Sequence, residues 1–235
     1  MPHNDDAQVM VRLAQQLRSV KDERPTASAV IARALEIIPG VDWVSLTVRT
    51  SRTKFVTLAS SDSAAEQADE LQYQFREGPC VEAAIGSEYL RSGDLRGDQR
   101  WPEWGPRAAD LGVRSLLSIM LASDGTPMGA LNFYSKHDGA FGERDDVDFA
   151  LLYGAHVALA LTTAQEITGL NTALLTRHSI GLAQGILMER YGLDVDASFS
   201  LLTRYSSMLE RRLADVASDI VMTGKLPDVE ADERV

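Results

Sequence analysis

A single cysteine, Cys80, is all the thiol chemistry in these 235 residues. One cysteine closes no intramolecular disulfide, which suits a reducing compartment. It also leaves no C-x-x-C pair to hold zinc. His137, His156 and His178 lie far apart with no i, i+4 spacing, so no metal site is expected. No phosphate-cradling glycine loop and no Ser/His/Asp arrangement is legible, and no catalytic residue is assigned. No apolar run looks long enough to span a bilayer, and the polar start Met-Pro-His-Asn-Asp-Asp is no signal peptide. The expectation is a cytoplasmic protein that is not an enzyme and has no membrane partner.

Basic charge is also scarce. The formal charge is -11, whereas nucleic-acid domains usually show a basic face. The deficit is uneven: residues 166–227 carry six bases against seven acids, residues 228–235 add -3, and -7 falls on residues 1–165. Five of those six bases are arginines, the side chain suited to phosphate forks and base stacking. A near-neutral module on an acidic body binds nonspecific nucleic acid poorly. It needs a shaped RNA and two modules acting together.

Proline is absent between Pro127 and Pro227, where Asp145 to Tyr191 reads as near-continuous helix despite Gly154, Gly169, Gly181 and Gly185. Upstream, Val9 to Val20 reads as an amphipathic helix and Thr26 to Ile38 as a second, closed by Pro39-Gly40. Val41 to Val48 and Lys54 to Ser60 alternate as strands, and Asp62 to Phe75 is helix-like. Glu77 to Pro106 reads as loop, Arg107 to Leu111 as a short helix. Ser115 to Leu121 and Met128 to Ser135 form strands around the turn Ser123-Asp124-Gly125-Thr126. Along the long helix Val157, Leu161, Ile167, Leu170 and Leu174 are exposed unless a partner helix covers them, so a parallel homodimer is expected.

From Leu174 to Val221 the chain holds L-L-T-R-H-S-I-G-L-A-Q-G-I-L-M-E-R-Y-G, D-A-S-F-S-L-L-T-R-Y-S and R-R-L-A-D-V-A-S-D-I-V. This resembles the ANTAR module, a three-helix RNA-binding unit of bacterial signalling proteins. It rests on Arg177, Ile180, the run Ala183 to Met188, Tyr191, Ala197, Phe199, Leu202, Tyr205, Ser206, Leu213, Val216, Ala217 and Val221. Apolar stripes at Ile180, Ala183, Ile186, Leu187 and Tyr191, at Ala197, Leu201, Leu202 and Tyr205, and at Leu209, Leu213, Val216, Ala217 and Ile220 would equally build a plain dimerisation bundle. The A-Q-G-I-L-M run and the Y-S pair have no packing necessity and favour the ANTAR reading. The resemblance implies binding of paired hairpin RNA near a transcription terminator. Its RNA candidates are Arg177, Gln184, Gly185, Arg190, Arg204, Tyr205, Arg211 and Arg212. Glu210 stands where the family commonly has Asn, which weakens an RNA-facing surface by repulsion.

The upstream α-α-β-β-α-(loops)-β-β-α order looks like a GAF domain, a small-molecule sensor. The marks are Glu77-Gly78-Pro79-Cys80-Val81-Glu82-Ala83, Arg100-Trp101-Pro102, Leu111 to Ser118, and Gly129-Ala130-Leu131-Asn132-Phe133-Tyr134-Ser135. Together the halves resemble actinobacterial GAF–ANTAR proteins. Candidate ligand residues are Cys80, Asp94, Trp101, Trp104, Arg114, Ser118 and Asn132, with Tyr89 and Phe133 beside the tryptophans. Cys80 is a redox sensor or attachment point on one reading and a small buried hydrophobe on the other. Trp101 and Trp104 line a pocket or pin a long loop.

The expected architecture is α+β: a GAF sensor over residues 8–165, with an antiparallel sheet flanked by helices, then a long signalling helix and a three-helix ANTAR bundle over 166–227, and an acidic disordered tail over 228–235. Expected partners are a dual-hairpin leader RNA, a second copy, and a small ligand or redox signal of unknown identity; no cofactor is assigned. The alternative is a ligand-binding homodimer whose helical end recruits a protein partner without RNA.

Overall fold

The computed structural model describes residues 23–51, 54–83 and 88–227; the expected helix over Val9 to Val20 and the acidic tail lie outside these. The chain divides into two compact units, Met1–Ile167 and Thr168–Val235.

In the first unit the elements are α1 (Glu23–Ile37), β1 (Trp43–Ser51), β2 (Lys54–Ser60), α2 (Ser63–Phe75), α3 (Pro79–Ala83), β3 (Tyr89–Ser92), α4 (Trp104–Asp110), β4 (Ser115–Ser123) and β5 (Thr126–Ser135). They are followed by the long α5 (Arg144–Tyr191), which continues into the second unit. The strands form one antiparallel sheet in the order β2-β1-β5-β4-β3. Asp124 and Gly125 both adopt positive φ between Ser123 and Thr126, which pair with each other. This is the two-residue hairpin geometry that the sequence Asp-Gly favours.

Period-two alternation gives the sheet two unlike faces. Val44, Leu46, Leu131, Phe133, Leu117, Ile119 and Leu121 join Val30, Ile31 and Ala34 of α1 and Tyr153, Val157 and Leu161 of α5 in one apolar core. Tyr153 donates its hydroxyl to the Val30 carbonyl at 2.7 Å. The opposite face presents Ser45, Thr47, Ser118 and Asn132, all buried. Over part of it, a second core of Trp101, Trp104, Leu95, Ala65, Ala68 and Tyr134 packs beneath α2 and α4.

The stretch expected as loop from Glu77 to Pro106 contains α3, β3 and the start of α4. Its short elements fall below the length at which periodicity is readable. Val157 and Leu161, expected to await a partner helix, are fully buried against the sheet. By length and composition α5 could cross a membrane, with a mean hydropathy of 1.4 over its most apolar stretch, which corrects the expectation that no run qualifies. Burial accounts for part of the apolarity, since Val157, Leu161 and Ala164 are core residues, whereas Leu152 and Leu159 are exposed.

In the second unit the last turns of α5 pack with α6 (Val195–Met208) and α7 (Leu213–Thr223). The core is Ala183, Leu187, Leu202, Val216, Ala217 and Ile220. Asp194 caps α6 by accepting from the Ala197 amide at 2.7 Å. The third apolar stripe is broken: Leu209 ends α6, and α7 starts only at Leu213.

Gly129 sits where a Cβ would collide with the Thr47 carbonyl oxygen, whereas a Cβ at Gly169 meets nothing. All three tryptophans belong to the sheet unit, so their fluorescence reports its unfolding. Gly129→Ala is expected to lower the stability of that transition in urea by about 1–3 kcal/mol, the usual cost of overpacking. Gly169→Ala is expected to raise helix stability by up to about 1 kcal/mol.

Candidate functional site

The polar face of the sheet converges on one carboxylate. Asp69, on α2, is fully buried. Its Oδ1 accepts from Tyr134 Oη at 2.5 Å and Asn132 Nδ2 at 3.2 Å, and its Oδ2 accepts from Thr57 Oγ1 at 2.9 Å. Asn132 also donates to Ser45 Oγ at 3.1 Å and accepts from Ser118 Oγ at 2.7 Å. Register explains this row, because Ser45 and Ser118 both pair with Asn132 across the sheet. Tyr73 Oη lies 2.9 Å from Thr47 Oγ1 and 3.0 Å from Thr57 Oγ1. Gln72 donates to Tyr134 Oη at 3.1 Å and accepts from the Cys80 amide at 2.8 Å.

Among the described residues no cation enters this cluster, and Tyr134, Asn132 and Thr57 are neutral donors to Asp69. Burial raises the Asp69 pKa to about 6 against the lowering by its hydrogen bonds. Burial, then the Asp69 charge, pushes the Cys80 thiol up to about 12 and raises Tyr73 and Tyr134 as well. A nucleophilic cysteine needs a stabilised thiolate. Cys80 instead packs with Ala130, Tyr73 and Met120 as a small buried hydrophobe.

The other candidate ligand residues are spread out. Ser118 and Asn132 belong to the network above. Trp101 and Trp104 have no exposed surface, meet edge to face at 5.4 Å, and donate to Glu82 Oε1 at 2.7 Å and the Ala68 carbonyl at 2.9 Å. They pin the loop onto α2 and α3. Glu77 caps α4 by accepting from the Glu103 and Trp104 amides. Gly78 takes φ 116, with a Cβ there falling on the Gln72 side chain, so the Glu-Gly-Pro-Cys run serves this packing. Phe133 lies on the opposite face of the sheet from the tryptophans, and Tyr89 is exposed, so neither shares a pocket with them. Asp94 is exposed and accepts from the Gly97 amide at 3.2 Å; Arg114 is half-buried. A groove of about 540 Å³ runs between β4 and α5, lined by Glu88, Met120, Leu151, Leu159 and Glu166 among others, and none of these candidates lines it.

Sequence reasoning missed Asp69, Tyr73, Gln72, Thr57, Ser45 and Thr47. The available signal was Ser45 and Thr47 alternating within an apolar strand, with Ser45 opposite Asn132.

In the second unit the RNA candidates divide by their internal partners. Gln184 donates to the Val195 carbonyl and Ser198 Oγ. Arg190 donates to the Gly224 carbonyl, and Arg211 pairs with Asp219 at 2.6 Å. That pairing holds the Arg211 pKa above its ordinary value. Tyr205 is half-buried against the bundle core. Gly185 is exposed, and a Cβ there meets nothing. Arg177, Arg204 and Arg212 are exposed and, among the described residues, make no ion pair or side-chain hydrogen bond.

Arg211 and Arg212 lie between helices, after α6 ends at Met208 and before α7 starts at Leu213. α6 ends in a Schellman turn: Glu210 N–H donates to the Ser207 carbonyl and Arg211 N–H to the Ser206 carbonyl, with Glu210 at φ 51. Asn tolerates that left-handed backbone better than Glu. The family's Asn at this place therefore has a backbone reason independent of RNA.

Two predictions follow from this geometry. Asp69, at about 6 against an ordinary 3.8, binds its proton more tightly folded than unfolded. Stability from this group is therefore lost as pH rises from about 4 to about 6, by on the order of 3 kcal/mol in all. Urea titrations across that range should show the stability difference between wild type and Asp69→Asn shrinking as pH rises; a constant difference contradicts it. Glu210→Asn is expected to raise the melting temperature of the full chain, by an amount equivalent to about 1 kcal/mol.

The family model described as the GAF domain matches residues 20–162, and that described as the ANTAR domain matches residues 168–221. No curated protein matches the chain. Among solved structures, free methionine-R-sulfoxide reductase from Neisseria meningitidis is 17% identical at a TM-score of 0.53, over 68% of this chain and 90% of that one. The GAF domain of a phosphoenolpyruvate-protein phosphotransferase from Coxiella burnetii is 17% identical at 0.53, over 70% and 96%. The GAF domain of the cyanobacteriochrome TePixJ is 18% identical at 0.51, over 63% and 94%. At such identities the likeness is one of fold. GAF domains are small-ligand sensors and ANTAR domains RNA-binding antitermination modules, regulatory rather than catalytic. With the GAF model covering more than half of its residues, the chain belongs to the GAF-domain family and carries an ANTAR domain after it.

Proposed function

We propose that this protein is a signal-responsive, RNA-binding transcription antitermination regulator of the actinobacterial GAF–ANTAR kind, acting in the cytoplasm as a homodimer. Residues 8–165 form the sensor, 166–227 bind paired hairpin RNA in a leader transcript, and 228–235 form an acidic tail. The observation that supports RNA contact is the set of three exposed arginines, Arg177, Arg204 and Arg212, that have no side-chain partner among the described residues. A guanidinium not held internally is available to fork onto phosphate or stack on a base. Gln184, Arg190 and Arg211 serve the bundle first, and Tyr205 contributes through its exposed edge. Gly185 leaves backbone open to close approach.

The sensor reads a small ligand without turnover. Its polar core is filled by its own side chains, so a ligand using Ser118, Asn132 or Cys80 displaces hydrogen bonds that hold Asp69. Asp94, Arg114 and the tryptophan loop are the outer elements such an opening would move. A protonated Cys80 thiol argues for ligand sensing over redox sensing.

Dimerisation rests on Leu170, Leu174, Leu175 and Leu182 of α5, all exposed. A broad apolar helical stripe in water calls for a covering surface, and a second copy supplies an identical one.

Filter binding at fixed salt, with a pool of two-hairpin RNAs randomised in the loops, tests RNA contact. Arg177→Ala, Arg204→Ala and Arg212→Ala are each expected to weaken binding by about 1–3 kcal/mol, with Arg211→Ala close to wild type. A pool from which nothing binds removes the RNA reading. Light scattering at micromolar concentration is expected to give twice the 25.7 kDa chain mass, with Leu174→Glu monomeric; a monomeric wild type removes the dimer.

A further inference from the structure

The start of α6 shapes a shallow recess of about 330 Å³ lined by Leu193, Ala197, Ser200, Leu201 and Arg204. The last four stand at i, i+3, i+4 and i+7, in one row along the helix. Leu193 and Leu201 pack on the bundle core, which fixes the walls. Ala197 and Ser200 are small, and their missing bulk leaves the space. The Ser200 hydroxyl and the Arg204 guanidinium have no partner among the described residues.

Apolar walls, one free hydroxyl and one free cation at the end of the row describe a ligand with a flat apolar body, a polar edge and a neighbouring negative charge. The volume is at the low end for small-ligand pockets, enough for a single ring system and too little for the several anchors of a docked helix. A nucleobase joined to its phosphodiester has all three properties, and single-stranded loops present such bases unstacked.

We propose that this recess receives one unpaired base of a hairpin loop. Leu193 and Leu201 flank the ring, Ser200 Oγ bonds its edge, and Arg204 meets the adjoining phosphate or stacks on the exposed ring face. This rests on the RNA reading above and adds a place where loop sequence is read. Arg177 and Arg212 then supply sequence-independent phosphate contact.

The test uses the full chain and the tightest RNA from the randomised pool, with 2-aminopurine substituted at each loop position in turn. One loop position is expected to change fluorescence on binding to wild type. Ala197→Leu, which fills the recess and keeps every charge, is expected to abolish that signal and weaken binding at least tenfold, with the salt dependence unchanged. Arg204→Ala is expected to weaken binding and reduce the salt slope by about one. An RNA that binds as tightly with abasic loops, or binds wild type and a folded Ala197→Leu equally, overturns the base site while leaving RNA binding intact. A pool with no binder overturns both.

Discussion

A carboxylate sealed in protein without a cation constrains the sensor half more than any other single feature. Asp69 has to be satisfied by neutral donors, and those donors come from two strands, Thr57 on β2 and Asn132 and Tyr134 on β5, with Ser45 of β1 accepting from Asn132 behind them. A buried polar group left unmatched costs about 1–3 kcal/mol, and a buried charge more. The cluster therefore ties α2 to the sheet with a specificity that apolar packing lacks. It also explains why one face of an otherwise hydrophobic sheet carries serine, threonine and asparagine.

The same cluster sets what the sensor can do. Its titratable groups are all held toward their protonated forms, which disfavours nucleophilic chemistry. Any occupant would compete with hydrogen bonds already made, so binding energy and reorganisation of α2 are linked. The shared fold with a sulfoxide reductase does not alter this, since the sole cysteine is buried and burial pushes its thiol pKa up.

Much of the architecture was readable because strong local signals agreed with the fold. Alternation located β1, β4 and β5, the Asp-Gly pair located the hairpin, and the proline-free stretch located α5. What stayed hidden was tertiary. Val157 and Leu161 looked like a dimer seam because a sequence stripe does not say whether a sheet or a second helix covers it. Asp69 looked like an ordinary polar residue of a surface helix. The RNA candidates were found by resemblance, but nothing in the order of residues shows that Asp219 occupies Arg211, or that Gly224 occupies Arg190. The position of Glu210 in a left-handed cap was equally invisible, since helix ends depend on backbone conformation more than on residue pattern.

Three glycines in α5, Gly169, Gly181 and Gly185, have no neighbour that a side chain would strike. No close packing requires them, and each costs the helix about 1 kcal/mol relative to alanine. The early part of α5 is held by the sheet core, whereas Thr168 to Leu175 is almost wholly exposed. In a single copy of the chain, amide hydrogens in that exposed stretch would exchange with solvent sooner than those near Tyr153, through local openings of the helix.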